Sequence, residues 1–253
     1  MKNLLFGLGL LAIVFASCGD GTPENLDYKT ELRIKAVYDG QPLVMFEEYD
    51  YEDTELFFSR LDLFMNNIQL NDADGGSIPL SDIEFVDFTE NQKTLEDANE
   101  GISFTYNIEK PAADLASISF GVGVDAATNT SLPTDYSSDN PLSQTGYYWE
   151  NWDSFIFMKL QGQYDENADG EFALQFLFHT GTDDQHRTFN LPVTSEFDTE
   201  GNAVIELEID YKKMYEVGSG YYNIAENPVN HSPMNPVPML MLSNNLSNAL
   251  TVK

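Results

Sequence analysis

The sequence predicts an all-β chain, an antiparallel β-sandwich with long loops and a short C-terminal helix. Three observations lead there. Apolar residues alternate with polar ones at a period of two in one segment after another, the pattern of strands buried on one face. Short turns bearing Gly, Asp or Asn separate these segments. Helical spacing of apolar residues appears clearly only near the C-terminus. Many short strands joined by such turns form sandwiches rather than α/β folds.

The first element lies outside the fold. Residues 1–17 read as a lipoprotein signal peptide. Lys2 supplies a positive start, and Leu4 to Phe15 is apolar but shorter than the roughly 20 residues a spanning helix needs. Phe15-Ala16-Ser17-Cys18 resembles a bacterial lipobox, which implies cleavage before Cys18 and lipidation of its sulfur. An ordinary cleaved signal with an incidental cysteine is the plainer alternative. Residues 18–27, polar with Gly and Pro, read as a flexible tether, and residues 28–253 as one domain.

Within that domain the alternating sets come in order. Leu32, Ile34 and Ala36 lead, followed by Leu61, Leu63 and Met65. Ile102, Phe104, Tyr106 and Ile108 come next, then Ile118, Phe120, Val122 and Val124. Phe172, Leu174, Phe176 and Phe178 form a fifth set, and Ile205, Leu207, Ile209 and Tyr211 a sixth. Turns fall at Asp39-Gly40, Asp74-Gly75-Gly76, Asp169-Gly170 and Glu200-Gly201-Asn202. Residues 125–146 are polar and lack periodicity, which suits a functional loop between strands. After the proline-rich stretch Pro228 to Pro238, the spacing of Met239, Leu242, Leu246 and Leu250 predicts the terminal helix.

Charge narrows the function. Lys and Arg number 12 against 42 Asp and Glu, a formal charge of −30. Nucleic-acid binding depends on cationic contacts to phosphate, so that class is excluded. Docking on an anionic membrane surface goes with it, and contact with a membrane is expected only through the lipid anchor. A surface of this sign attracts cations and basic partners. Cys18 is the only cysteine, so disulfides and thiolate zinc sites are excluded.

No catalytic constellation stands out. There is no Gly-x-Ser-x-Gly elbow, no HExxH and no thiol nucleophile in the domain, so the chain reads as a non-enzyme. Two acidic stretches suggest calcium but have plainer readings. Glu47 to Glu55 is dense in carboxylates, as solvated faces are. Asp165 to Gly170 matches the first half of an EF-hand loop, but Phe176 stands where the bidentate Glu belongs, so a hairpin turn is favoured. Asp125 and Asn129 offer hard oxygen ligands for calcium in the long loop. Of the three histidines, His179 ends a strand pattern and His231 lies beside Met234. Imidazole with thioether is a donor set suited to copper, although methionines near a helix also serve as core filler. Trp149 and Trp152, the only tryptophans, follow the polar loop, either as core anchors or at a site.

From about Glu31 onward the chain resembles the MbnP-like family of copper-binding periplasmic proteins associated with methanobactin operons. The resemblance rests on pieces in order: Leu56 to Leu70, Phe120 to Asp125 with Asn129, Tyr148-Trp149 through Lys159-Leu-Gln161-Gly162, Phe178-His179-Thr-Gly181, and Asn230-His231 with Asn245-Leu246. It implies copper held by His179 and His231, with Trp149 oxidised to kynurenine by a di-haem partner enzyme of the MauG/cytochrome-c-peroxidase type. Three departures stand out. The family's second Trp falls on Asn151, with Trp152 one position late, its Gly-Tyr falls on Ser154-Phe155, and its Glu before Gly is Gln161.

The expected function is therefore an envelope-anchored lipoprotein, facing the periplasm or the cell surface, that binds metal. Copper is favoured, with His179, His231, Trp149 and Met234 as candidate site residues. A metal-free interaction lipoprotein of the same fold and a calcium-binding module are the alternatives.

Overall fold

The structure, a computed structural model, describes residues 27–232 and 235–253. The signal peptide, Cys18, all of the tether but Asp27, and Met234 lie outside the described residues.

Strands β1 (Tyr28–Tyr38), β2 (Gln41–Pro42), β3 (Glu48–Tyr51), β4 (Thr54–Asp72) and β5 (Ser77–Asp87) lead into two short helices, α1 (Phe88–Asn91) and α2 (Leu95–Glu100). After β6 (Ile102–Ile108) and β7 (Leu115–Val122), an excursion of 3-10 turns carries the chain to β8 (Tyr148–Trp149) and β9 (Ser154–Phe155). The longer strands β10 (Met158–Asp165), β11 (Leu174–Thr180), β12 (Arg187–Pro192) and β13 (Asn202–Asp210) follow. Then come β14 (Glu216–Val217), β15 (Gly220–Tyr221), β16 (Val229–Asn230), helix α3 (Val237–Ala249) and β17 (Leu250–Val252).

Two sheets make the sandwich. One is built around β1, with β13 and then β17 on one flank and β6 and β2 on the other. Its alternation is clean. Leu32, Ile34 and Ala36 are fully buried toward the core, while Arg33 and Lys35 on the opposite face pair with Glu31 and Glu206. The second sheet runs β12-β7-β4-β10-β11-β16, with β3 and β5 also on β4. Leu61, Leu63, Leu160, Phe176 and Phe178 of this sheet meet Leu32, Ile205 and Leu207 of the other in one continuous core.

Most pairings are antiparallel, as the alternation predicts, but β1–β13 and β11–β16 are parallel. Parallel neighbours need long crossover connections, and both pairs join segments far apart in the chain. The terminal helix forms with Met239, Leu242 and Leu246 buried against the sandwich. Leu250, expected on that helix, instead opens β17 and pairs with Ile209. The fifth alternating set begins later than expected, at Leu174, and its strand runs on to include His179.

The acidic stretch Glu47 to Glu55 is a β3–β4 hairpin. Its alternation turns Tyr51 into the core and leaves Glu48, Asp50, Glu52 and Asp53 in solvent. Asp165 accepts hydrogen bonds from the backbone N–H groups of Asn167, Gly170 and Glu171, which is the hairpin turn expected there.

The long polar loop is organised around one residue of β4. On one flank β4 pairs with β10 through Leu63 and with β7 from Met65 onward. Between these two partners stands Phe64. Its carbonyl accepts from Gly123 N–H at 2.8 Å, and its N–H donates to the Phe157 carbonyl at 2.9 Å. The chain therefore leaves the sheet and returns to it at the same point. Gly123 is required there: its φ is 106°, and a Cβ would lie 2.5 Å from Cδ2 of Phe157. Between those two residues the excursion folds back on the outer face of the sheet. Val124, Leu142, Tyr147, Phe155 and Ile156 build a second small core there on Phe64 and Phe157.

Candidate metal centre

Residues directly opposite one another in a sheet project from the same face. Lys159 on β10 is opposite Asp62 on β4 and opposite His179 on β11. In the parallel β11–β16 pair, Leu177 matches Val229 and Phe178 matches Asn230. One step further along that register sets His231 beside His179. The result is a lateral row, Asp62–Lys159–His179–His231, on the face opposite the one carrying Leu61, Leu160 and Phe178. This is the face the excursion covers.

The two imidazole rings are 6.0 Å apart, centroid to centroid. Trp149 lies over them, 4.8 Å from His231 and 6.1 Å from His179. It is placed by the β8–β9 hairpin, in which Trp149 is opposite Ser154. Trp152, in the turn of that hairpin, stacks on Trp149 at 4.8 Å with the planes 4° from parallel. Gly181 lets the pair settle, since a Cβ there would lie 3.0 Å from Trp152 and 2.5 Å from the Phe155 carbonyl. The glycine of Phe178-His179-Thr180-Gly181 thus serves the tryptophan wall.

His179 is 7% exposed. Its Nε2 lies 2.6 Å from the side-chain amide of Gln161, while its Nδ1 is buried with no hydrogen-bond partner. Burial, then the positive charge of Lys159, then His231 and Arg60, lower its pKa to about 3. The ring is therefore neutral, the state in which imidazole binds metals.

Next to it lies a charged network that sequence reasoning missed. Asp62 is fully buried. Its Oδ2 accepts from Arg60 Nε and from the Tyr147 hydroxyl, each at 2.6 Å, while burial pushes its carboxyl up to about 6. Lys159 Nζ sits 3.7 Å above the Tyr147 ring and donates to the Gly146 carbonyl at 2.7 Å. Together these residues strap the excursion to the sheet immediately before Trp149.

The other candidates lie elsewhere or hold structure. Asp125 accepts from Ala127 N–H, from Thr128 N–H and hydroxyl, and from the Asn66 amide. Asn129 is buried; its carbonyl accepts from Phe155 N–H and the Ser154 hydroxyl, and its amide donates to Asp183. Holding the excursion in shape accounts for both side chains. His186 bonds Asn66 Oδ1 at 3.0 Å and takes no part in the histidine pair. Met234 lies outside the described residues. Among the described residues no three His, Cys, Asp or Glu side chains converge on a common point, so a metal at the histidine pair needs donors of other kinds.

The MbnP family model matches residues 27–234. The chain belongs to the MbnP family. The solved structure of MbnP from Methylosinus trichosporium is similar, with a TM-score of 0.50 over 81% of this chain and 80% of that one at 14% identity. At that identity the likeness establishes the fold. No curated protein matches the sequence. Trp149, Trp152, Gln161, His179 and His231 all fall inside the span matched by the MbnP model. No helix among the described residues is long and apolar enough to cross a membrane.

Proposed function

We propose that this MbnP-family protein is a metal-binding module of the bacterial cell envelope, tethered through a lipid on Cys18, and that its site suits copper best. One observation carries the reading. Two imidazoles stand side by side under an indole, and one of them is buried, neutral and left with an unpartnered nitrogen. An orphaned buried ring nitrogen has a cost, and a metal ion satisfies it. Imidazole is a natural copper ligand, and a thioether from Met234 would add softness for Cu(I). The acidic balance of the chain attracts cations to the molecule. His179, His231 and the Trp149–Trp152 wall would hold the ion and keep water from it. Trp149 is the residue a di-haem partner of the MauG/cytochrome-c-peroxidase type would oxidise to kynurenine.

Titration with Cu(I) and Cu(II) of the wild type and of His179→Ala and His231→Ala tests the proposal. Each substitution should weaken binding at least about tenfold, since even residues that only orient ligands are worth that much. Equal affinity in all three proteins, or no binding by the wild type, would leave the metal-free interaction lipoprotein as the better reading.

A further inference from the structure

We infer that Gln161 is a positioning residue that fixes the His179 tautomer, holding the ring proton on Nε2 so that Nδ1 is the nitrogen offered to a metal. The second half of this statement rests on the two-histidine reading above; the first half does not.

A neutral imidazole carries one N–H and one lone pair, and the hydrogen bond at one nitrogen decides what the other presents. Here one nitrogen is engaged and the other is not. Nε2 is 2.6 Å from the Gln161 amide, and Nδ1 is buried and alone. Two arrangements satisfy that contact. If the amide donates, the proton sits on Nδ1, and a buried N–H is left without an acceptor. If the amide is turned over, its carbonyl accepts Nε2–H and a bare lone pair remains at Nδ1. The two amide orientations have the same shape, so heavy-atom geometry does not separate them. The backbone precedent favours the second arrangement, since orphaned buried N–H groups there are rarer than under-satisfied carbonyls.

Sheet order points the same way. Gln161 lies on β10, one flank of β11, while His231 continues β16 on the other. A cation shared between the two histidines can use only the His179 nitrogen that Gln161 leaves free. The backbone that carries the amide is constrained. The β10–β4 register shifts between Gln161 and Gly162, and such irregularities re-aim side chains. A Cβ at Gly162 would lie 2.0 Å from the Phe57 carbonyl, so the backbone beside Gln161 cannot easily be rebuilt. Metal-binding histidines are commonly fixed in this way by a partner on the second ring nitrogen.

The experiment is nitrogen-15 NMR of histidine-labelled, metal-free protein near neutral pH, with His179 assigned by its loss in His179→Ala. Wild type should show the Nε2–H tautomer. Gln161→Glu should retain it, because a carboxylate can only accept. Gln161→Leu should lose it or populate both tautomers while backbone amide spectra remain folded. Copper affinity should fall about tenfold or more in Gln161→Leu and recover in Gln161→Glu, the range expected for such orienting partners. An Nδ1–H tautomer in wild type, or an unchanged tautomer in Gln161→Leu, overturns the inference. A Gln161-dependent Nε2–H tautomer in a wild type that binds no copper upholds Gln161's role and removes the copper reading instead.

Discussion

His231 follows the last residue of β16, one step past the Phe178–Asn230 pair, and its ring lies 6.0 Å from that of His179 on β11. The short parallel pairing of β11 with β16 therefore brings the two rings together. The indole above them belongs to a separate hairpin. The site is thus half sheet and half excursion, with the Asp62–Arg60–Tyr147 network joining the halves.

Acidification separates His179 from the rest of the molecule. Its pKa is about 3 when folded against an ordinary 6.5, so below 6.5 the unfolded chain takes up a proton that the folded chain refuses. Stability from this group is intact above pH 6.5 and is lost as pH falls toward 3, by on the order of 5 kcal/mol in total. Asp62 acts in the opposite sense. Raised from 3.8 to about 6, it holds its proton more firmly when folded and contributes stability as pH falls through that window. Urea unfolding at neutral pH and near pH 4 should show a smaller acid loss, or none, in His179→Leu than in wild type. Equal losses would refute the neutral, buried state of His179.

The crossing at Phe64 depends on Gly123. Gly123→Ala should cost about 2 kcal/mol or more, combining positive-φ strain with the collision at Phe157. Gly75→Ala is the control: its φ is 86°, but nothing lies within 4 Å of the added Cβ, so the cost should be about 1 kcal/mol, that of positive φ alone. Thermal melts followed by circular dichroism measure the difference. Proteolysis within residues 124–156 should accelerate in Gly123→Ala and stay unchanged in Gly75→Ala.

Cys18→Ser should move the protein from the membrane fraction to the soluble fraction of its native cells. Retention in the membrane fraction would mean an anchor other than a lipid on that sulfur.

Peptide mass spectrometry of protein from its own envelope should find Trp149 converted to kynurenine, with one carbon lost and one oxygen gained, and Trp152 unchanged. An intact Trp149 in copper-loaded native protein would leave the indole as an aromatic wall and nothing more.

The fold was legible wherever burial on one face imposes a period of two. β1 and β13 announce themselves because Arg33, Lys35, Glu206 and Glu208 alternate with apolar residues. β5 and β12 are less plain, since β5 is half-buried on both faces and the inward residues of β12, Arg187, Phe189 and Leu191, are only half-buried. The parallel pairing of β1 with β13 is a long-range choice that no local pattern encodes. Leu250 misled because its spacing continues the helix while its backbone has already become strand. At the site, His179, His231 and Trp149 were legible from their chemistry and the family resemblance. Asp62, Arg60 and Tyr147 were not, because they come from segments distant in sequence and meet only across the folded sheet. Gln161 left a trace as the departure from the family's Glu, but its contact with His179 depends on knowing that β10 and β11 are neighbours.

The two hydrogen bonds at Phe64 make the excursion a nearly closed ring hung from a single residue. Inside the ring the sandwich holds it again at Tyr147–Asp62, Gly146–Lys159 and Asp125–Asn66, so a change of length disturbs the strands least in the stretch between those anchors. That stretch of the polar segment thereby becomes an interchangeable part. Two proteins can share the sandwich frame at 14% identity.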